Sequence, residues 1–130
     1  MTRLCIDTSA YSHFMRGEAA VVAHLDRASW VGVPSIVLGE LWTGFLLGDR
    51  PDENDAELEA FLSRDVVNEV TVDVEVARIY AEVVVDLRRA GTPLPTNDIW
   101  IAACAVRSGS SVISFDRHFS EIARVGSIVL

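Results

Sequence analysis

With 130 residues, half of them apolar, the chain has the length of one ordinary domain and enough apolar content for a proper core. Its formal net charge of −8 argues against binding nucleic acid through a generally basic surface, but not against a carboxylate site that holds cations. All eleven basic residues are arginine, and the missing lysine removes every mechanism that needs one, the Walker A phosphate loop included.

In chain order, Arg3–Ile6 is a short apolar run ended by Asp7-Thr8-Ser9, which predicts a strand and then a helix cap. This opening has neither the apolar stretch nor the small-residue cleavage site of a signal peptide, so a cytoplasmic protein is expected. A short helix over Ala10–Met15 breaks near Gly17, and Val21, Val22 and Leu25 recur at helical spacing within Glu18–Ala28. Trp30–Val33 predicts a second strand. Pro34-Ser35 then opens a helix, capped by Ser35 or a neighbour, that runs through Leu47 to Gly48. Ala28–Gly48 carries one charge, Glu40, but Pro34 and four glycines fit a buried strand and helix better than a membrane span.

Asp49–Asp55 reads as an acidic connection and Ala56–Ser63 as a helix. Val67–Val72 is rich in β-branched residues and predicts a third strand, and Asp73–Ala90 a long amphipathic helix ended by Gly91. After the stiff Thr92–Pro95 segment come a helix over Thr96–Ser108, a strand over Ser111–Ser114, a short helix over Arg117–Ala123 and a last strand over Ser127–Leu130. Strands alternating with helices predict a single α/β domain over residues 1–130, with a central, mostly parallel sheet between two helical layers. Cys5 and Cys104 lie far apart in apolar surroundings and read as buried thiols of a reducing compartment, not as a disulfide or zinc pair.

In such sheets the functional crevice lies at the carboxyl ends of the strands. Asp7 follows the first strand and Asp116 the fourth; Glu40 lies on the helix after strand two, and Asp98 in the first turn of the Thr96 helix. Each stands apart from other charges on at least one side, whereas most other acids cluster in stretches such as Asp52-Glu53-Asn54-Asp55. Taken singly, Asp7 and Asp98 fit helix caps, and Glu40 has a route to solvent past Thr43 and Gly44. Taken together, converging carboxylates repel one another, and a hard divalent cation relieves that; Mg²⁺ or Mn²⁺ suits oxygen donors, and no His/Cys cluster offers a zinc site.

These residues carry a family pattern. Cys-Ile-Asp7-Thr-Ser, Ser35-Ile-Val-Leu-Gly-Glu40-Leu, Leu94-Pro-Thr-Asn-Asp98-Ile-Trp-Ile-Ala-Ala and Val112-Ile-Ser-Phe-Asp116-Arg-His-Phe occur in order over nearly the whole chain. In them the chain resembles PIN domains, and among these VapC-type toxins. The resemblance implies a parallel sheet flanked by helices and an acidic metal site. Asp7, Glu40, Asp98 and Asp116 fall on its four acidic positions as metal-holding and catalytic residues. Asp116 either ligates directly or holds a metal-bound water. Ser9, Asn97 and Ser114 fall on supporting polar positions. His118 stands where some relatives carry another acid, and is read as a helix-surface residue; His13 and His24 are read as structural.

The implied chemistry is hydrolysis of RNA phosphodiesters to 5′-phosphate and 3′-hydroxyl ends, with the cation activating the attacking water. Arg16, Arg88, Arg89 and Arg117 are the candidate phosphate contacts. Trp42, Phe45, Leu46 and Leu47 exceed what a core needs and suggest a homodimer face or a groove for an antitoxin helix. Two rivals remain. A haloacid-dehalogenase-type phosphatase wants an aspartate where Ser9 stands, and a lysine; a receiver domain fails on the same lysine. A non-catalytic PIN-like module that only binds a partner has no missing acid in its favour.

Overall fold

The computed structural model describes residues 2–130. Five strands form one sheet in the order β3-β2-β1-β4-β5, and every neighbouring pair is parallel. The strands are β1 (Arg3–Ile6), β2 (Trp30–Pro34), β3 (Val67–Val70), β4 (Ser111–Ser114) and β5 (Ser127–Val129). The helices are α1 (Thr8–Met15), α2 (Ala19–Arg27), α3 (Ser35–Leu47), α4 (Pro51–Leu62), α5 (Val74–Ala90) and α6 (Thr96–Ser108), and a 3-10 turn covers Arg117–Glu121. Among the described residues no helix is long and apolar enough to cross a membrane.

The central strands are uninterrupted apolar runs because both faces of the sheet are covered. Leu4, Cys5 and Ile6 on β1 and Val112 and Ile113 on β4 are all buried. α6 brings Ala102, Ala103 and Ala105, all buried, against the sheet, where small side chains let the helix backbone come close. Gly32 on β2 is small for a specific reason: a Cβ there would stand 2.6 Å from the Trp30 ring and 2.9 Å from Val70. The Arg3 guanidinium stands over the Trp30 ring, 4.1 Å from its centroid.

The helices α5 and α6 each end on a left-handed glycine, Gly91 and Gly109, whose backbone N–H groups close the last turn. At their other ends they differ. Asp73 caps α5 by accepting from the Val76 N–H, whereas Pro95 starts α6 without a side-chain cap.

The structure corrects or sharpens the sequence reading in four places. The sheet, expected to be mostly parallel, is parallel throughout. α4 begins at Pro51, not Ala56: proline at the first helical position, with Asp52 and Glu53 in the first turn, is a helix start rather than a solvated connection. Of Ser35 and its neighbours, Pro34 takes the cap position of α3; Ser35 is the first residue of the helix, and its hydroxyl donates to the Val70 carbonyl on β3. Last, the segment after Asp116 is a 3-10 turn of five residues, anchored by the fully buried Phe119.

Candidate metal and active site

The order of the strands decides where a site forms. From β1 the chain moves outward through β2 to β3, then returns across the sheet to β4 on the other side of β1. The connections therefore diverge between β1 and β4, leaving a crevice at their carboxyl ends, where open parallel sheets bind ligands. Asp7 leaves β1 at that edge, and Ser114-Phe115-Asp116 leaves β4 beside it.

Asp7 is 5 % exposed, a buried acid that also caps α1. Its Oδ1 accepts from the Ala10 N–H and the Ser9 hydroxyl, both at 2.8 Å, and its Oδ2 from the Ser114 hydroxyl. The same two hydroxyls accept in turn from the chain leaving β4: the Phe115 N–H donates to Ser9 at 3.0 Å and the Asp116 N–H to Ser114 at 2.8 Å. Two serines thus stitch the ends of two strands around one carboxylate. Burial pushes the Asp7 carboxyl above its usual range; the Ser114, Ala10 and Ser9 hydrogen bonds oppose this, and the charge of Asp98 adds to it.

Asp98, in the first turn of α6, is largely enclosed. Its Oδ2 lies 2.7 Å from His118 Nδ1, and that same nitrogen lies 3.1 Å from Asp116 Oδ1. Asp116 also caps the 3-10 turn by accepting from the His118 N–H at 2.9 Å. Burial raises the Asp98 carboxyl, His118 lowers it by hydrogen bonding, and Asp116 and Glu40 raise it by repulsion. The hydrogen bond to Asp98 holds the His118 imidazole above its usual range, with the Asp116 charge adding to it.

Glu40 closes the ring. The Thr8 hydroxyl donates to its Oε1 at 2.7 Å and the Asn97 amide to its Oε2 at 3.3 Å. Asp7 therefore leads through Ser114 to the Asp116 backbone N–H, and the Asp116 carboxylate through His118 to Asp98; Asn97, the residue before Asp98 in the chain, leads to Glu40, and Glu40 to Thr8, the residue that follows Asp7. The arginine ion pairs lie elsewhere, at Arg50–Glu53 and at Arg124 with Glu82 and Asp86. Asp98, Asp116 and His118 alone offer three ligand atoms within 4.8 Å of one another.

The PIN domain model matches residues 4–125. The chain belongs to the PIN-domain family. Within it the relatives are VapC proteins. Ribonuclease VapC4 of Mycobacterium tuberculosis is 30% identical over 99 residues, 76% of each chain. Among solved structures, VapBC2 from Rickettsia felis, bound to a DNA fragment from its promoter, superposes with a TM-score of 0.88 at 19% identity, covering 99% of both chains. VapBC-5 from Mycobacterium tuberculosis, described as a member of the VapBC family of toxin–antitoxin systems, gives a TM-score of 0.75 at 25% identity over the full length of both chains. The low identities beside high superposition scores say that the fold is held in common while the sequences have diverged.

In this PIN domain the four acids expected from the sequence come to one edge of the sheet, where Ser9 and Ser114 hydrogen-bond to Asp7 and Asn97 to Glu40. His118 differs from its surface reading: its side chain is 42 % exposed, but the ring turns inward between two carboxylates. Of the arginines, Arg117 follows Asp116 directly and Arg88 lines a hollow with Pro93, Leu94 and Thr96 at the start of α6. Arg16 caps the far end of α1, and Arg89 shares its face with Asp86 and Arg124 rather than with the acids.

In the sequence Thr8 reads only as part of a cap motif; in the structure its hydroxyl, next to Asp7, holds the neighbouring acid Glu40. His13 is structural as expected: its ring stacks on Phe115 at 3.7 Å and its Nδ1 meets the Ser9 carbonyl, bracing the segment that carries Asp116.

Proposed function

We propose that this PIN-domain protein is a divalent-cation-dependent endoribonuclease and the toxin of a VapC-type toxin–antitoxin pair. One observation carries the reading: four carboxylates close a ring at the β1–β4 crevice with no arginine among their partners. Buried or crowded carboxylates without a cationic partner are costly, and a hard divalent cation is the partner this donor set fits. Asp7, Glu40, Asp98 and Asp116 are the residues that would hold Mg²⁺ or Mn²⁺. When bound, such an ion neutralises phosphate oxygens and lowers the pKa of an attacking water.

The chain's own residues do the rest. Ser9, Ser114 and the Ala10 N–H fix the Asp7 carboxylate in one orientation, so the site is formed before substrate arrives. Thr8 and Asn97 hold both oxygens of Glu40. Arg117, next to Asp116 in the chain, and Arg88, in the hollow at the start of α6, are the arginines that would supply planar donors for RNA phosphates, offsetting locally an otherwise acidic protein. Trp42, Leu46 and Leu47 remain exposed on α3, supporting a face covered by protein, with a cognate antitoxin and a second copy of the chain as the partners. A cytoplasmic location follows from an RNA substrate and two unpaired buried cysteines.

The test is cleavage of RNA by the purified chain with Mg²⁺ or Mn²⁺, with and without EDTA, beside Asp7→Asn. Cleavage that needs the ion and is lost in the variant supports the reading. Cleavage that survives EDTA sinks it, and a chain that binds no ion and cuts no RNA points instead to a partner-binding module.

A further inference from the structure

His118 faces two carboxylates with a single nitrogen, at 2.7 Å from Asp98 and 3.1 Å from Asp116. One N–H makes one full-strength hydrogen bond, so an ion pair serves one of these acids well and the other poorly. A single imidazolium also falls far short of neutralising four carboxylates. The spacing suits ligation better: two donors at right angles on an ion with bonds of about 2.1 Å stand about 3 Å apart. The placement is built into the fold. Phe119, fully buried, anchors the turn, and the His118 N–H is tied to Asp116, so ligand and neighbour are set together.

We infer that His118 is a metal ligand, adding one imidazole nitrogen to the oxygens of Asp98 and Asp116 and tilting the site toward Mn²⁺ over Mg²⁺. The inference rests on the cation-dependent reading above. Its chemistry is that Mg²⁺ keeps to oxygen donors and water, whereas Mn²⁺, also an oxygen-preferring ion, accepts an imidazole more readily than Mg²⁺ does, and later divalent metals more readily still. An acid at this position makes an all-oxygen set; a histidine makes a mixed one.

The experiment loads metal-free protein with Mn²⁺ or Mg²⁺ alone, without RNA. Calorimetry gives the two affinities for the wild type, His118→Gln and His118→Asp, and pulsed electron paramagnetic resonance on the Mn²⁺ forms reads nitrogen coupling. The wild type is expected to show imidazole nitrogen coupling that His118→Gln loses. Mn²⁺ affinity should fall at least about tenfold in His118→Gln, with a smaller change for Mg²⁺, and His118→Asp should shift preference back toward Mg²⁺. The wild-type spectrum decides the point even where a variant folds poorly. Mn²⁺ bound without nitrogen coupling, and with unchanged affinity in His118→Gln, overturns the inference and leaves a carboxylate site standing. A wild type that binds neither ion overturns the cation-dependent reading as well.

Discussion

Two groups of acids on this molecule use the same side chains to opposite effect. On the outer face of α5, Glu82 and Asp86 meet Arg124, and all three stay open to solvent. At the carboxyl edge of the sheet, Asp7, Glu40, Asp98 and Asp116 meet hydroxyls, an amide, an imidazole and one another. The hydrogen bond from Arg124 holds the Asp86 carboxyl below its usual range, whereas burial holds those of Asp7 and Asp98 above theirs. An exposed acid finds a cation from the chain at little cost and little gain; at the sheet edge Asp7 is buried and Asp98 largely enclosed without an arginine, the setting in which functional carboxylates gather.

The sharpest way to break this contrast is to neutralise the enclosed group. Asp7→Asn is expected to lower RNA cleavage by at least about 100-fold. Measured by thermal melting in EDTA, the same variant should be no less stable than the wild type, since it removes a buried charge while keeping the shape. A large loss of stability there would mean that Asp7 is a structural cap first.

Next in size is Ser114→Ala. Ser114 is fully buried, and its loss leaves Asp7 Oδ2 and the Asp116 N–H without their shared partner. Chemical denaturation should show a cost of about 1–3 kcal/mol, and Mn²⁺ titration a roughly tenfold weaker site.

The pH dependence of stability should then separate the two groups by sign. Asp7 and Asp98 have folded-state pKa values raised above the unfolded ones, so the folded state holds their protons more tightly. In EDTA their contribution to stability therefore grows as pH falls through the folded pKa toward the unfolded value. Asp86, with a lowered value, contributes stability at neutral pH that is lost as pH falls through its folded pKa. Denaturation in EDTA from neutral to mildly acidic pH should show the gain in the wild type and its reduction in Asp7→Asn. No difference between the two would remove the argument from burial.

The smallest effect belongs to Arg124→Ala. Its ion pairs are exposed, so melting at low salt should shift slightly, the shift should vanish at high salt, and RNA cleavage should be unchanged. A marked loss of cleavage would place α5 within the substrate path.

Much of the site was legible before any coordinates. Asp7, Glu40, Asp98 and Asp116 were marked out by local isolation from other charges, and their order matched a family. His118 was not legible as an inward-facing group, because its partner Asp98 lies twenty residues away and the ring's direction depends on a 3-10 turn where a helix was expected. Thr8 was hidden for a similar reason: its hydroxyl reads as local capping until α3 brings Glu40 alongside. The start of α4 was misread although its signal was local, because an acidic run after Pro51 looks alike whether it opens a helix or fills a loop.

Apolar runs, turn residues and isolated acids are properties of neighbours along the chain, and from them the alternation of strands and helices, the edge that carries the site and its four acids followed. Which groups those acids face, and that a histidine stands between two of them, depends on contacts closed across the sheet. Such contacts form only when β1 and β4 pair and α6 packs over them, so no reading confined to sequence neighbours contains them.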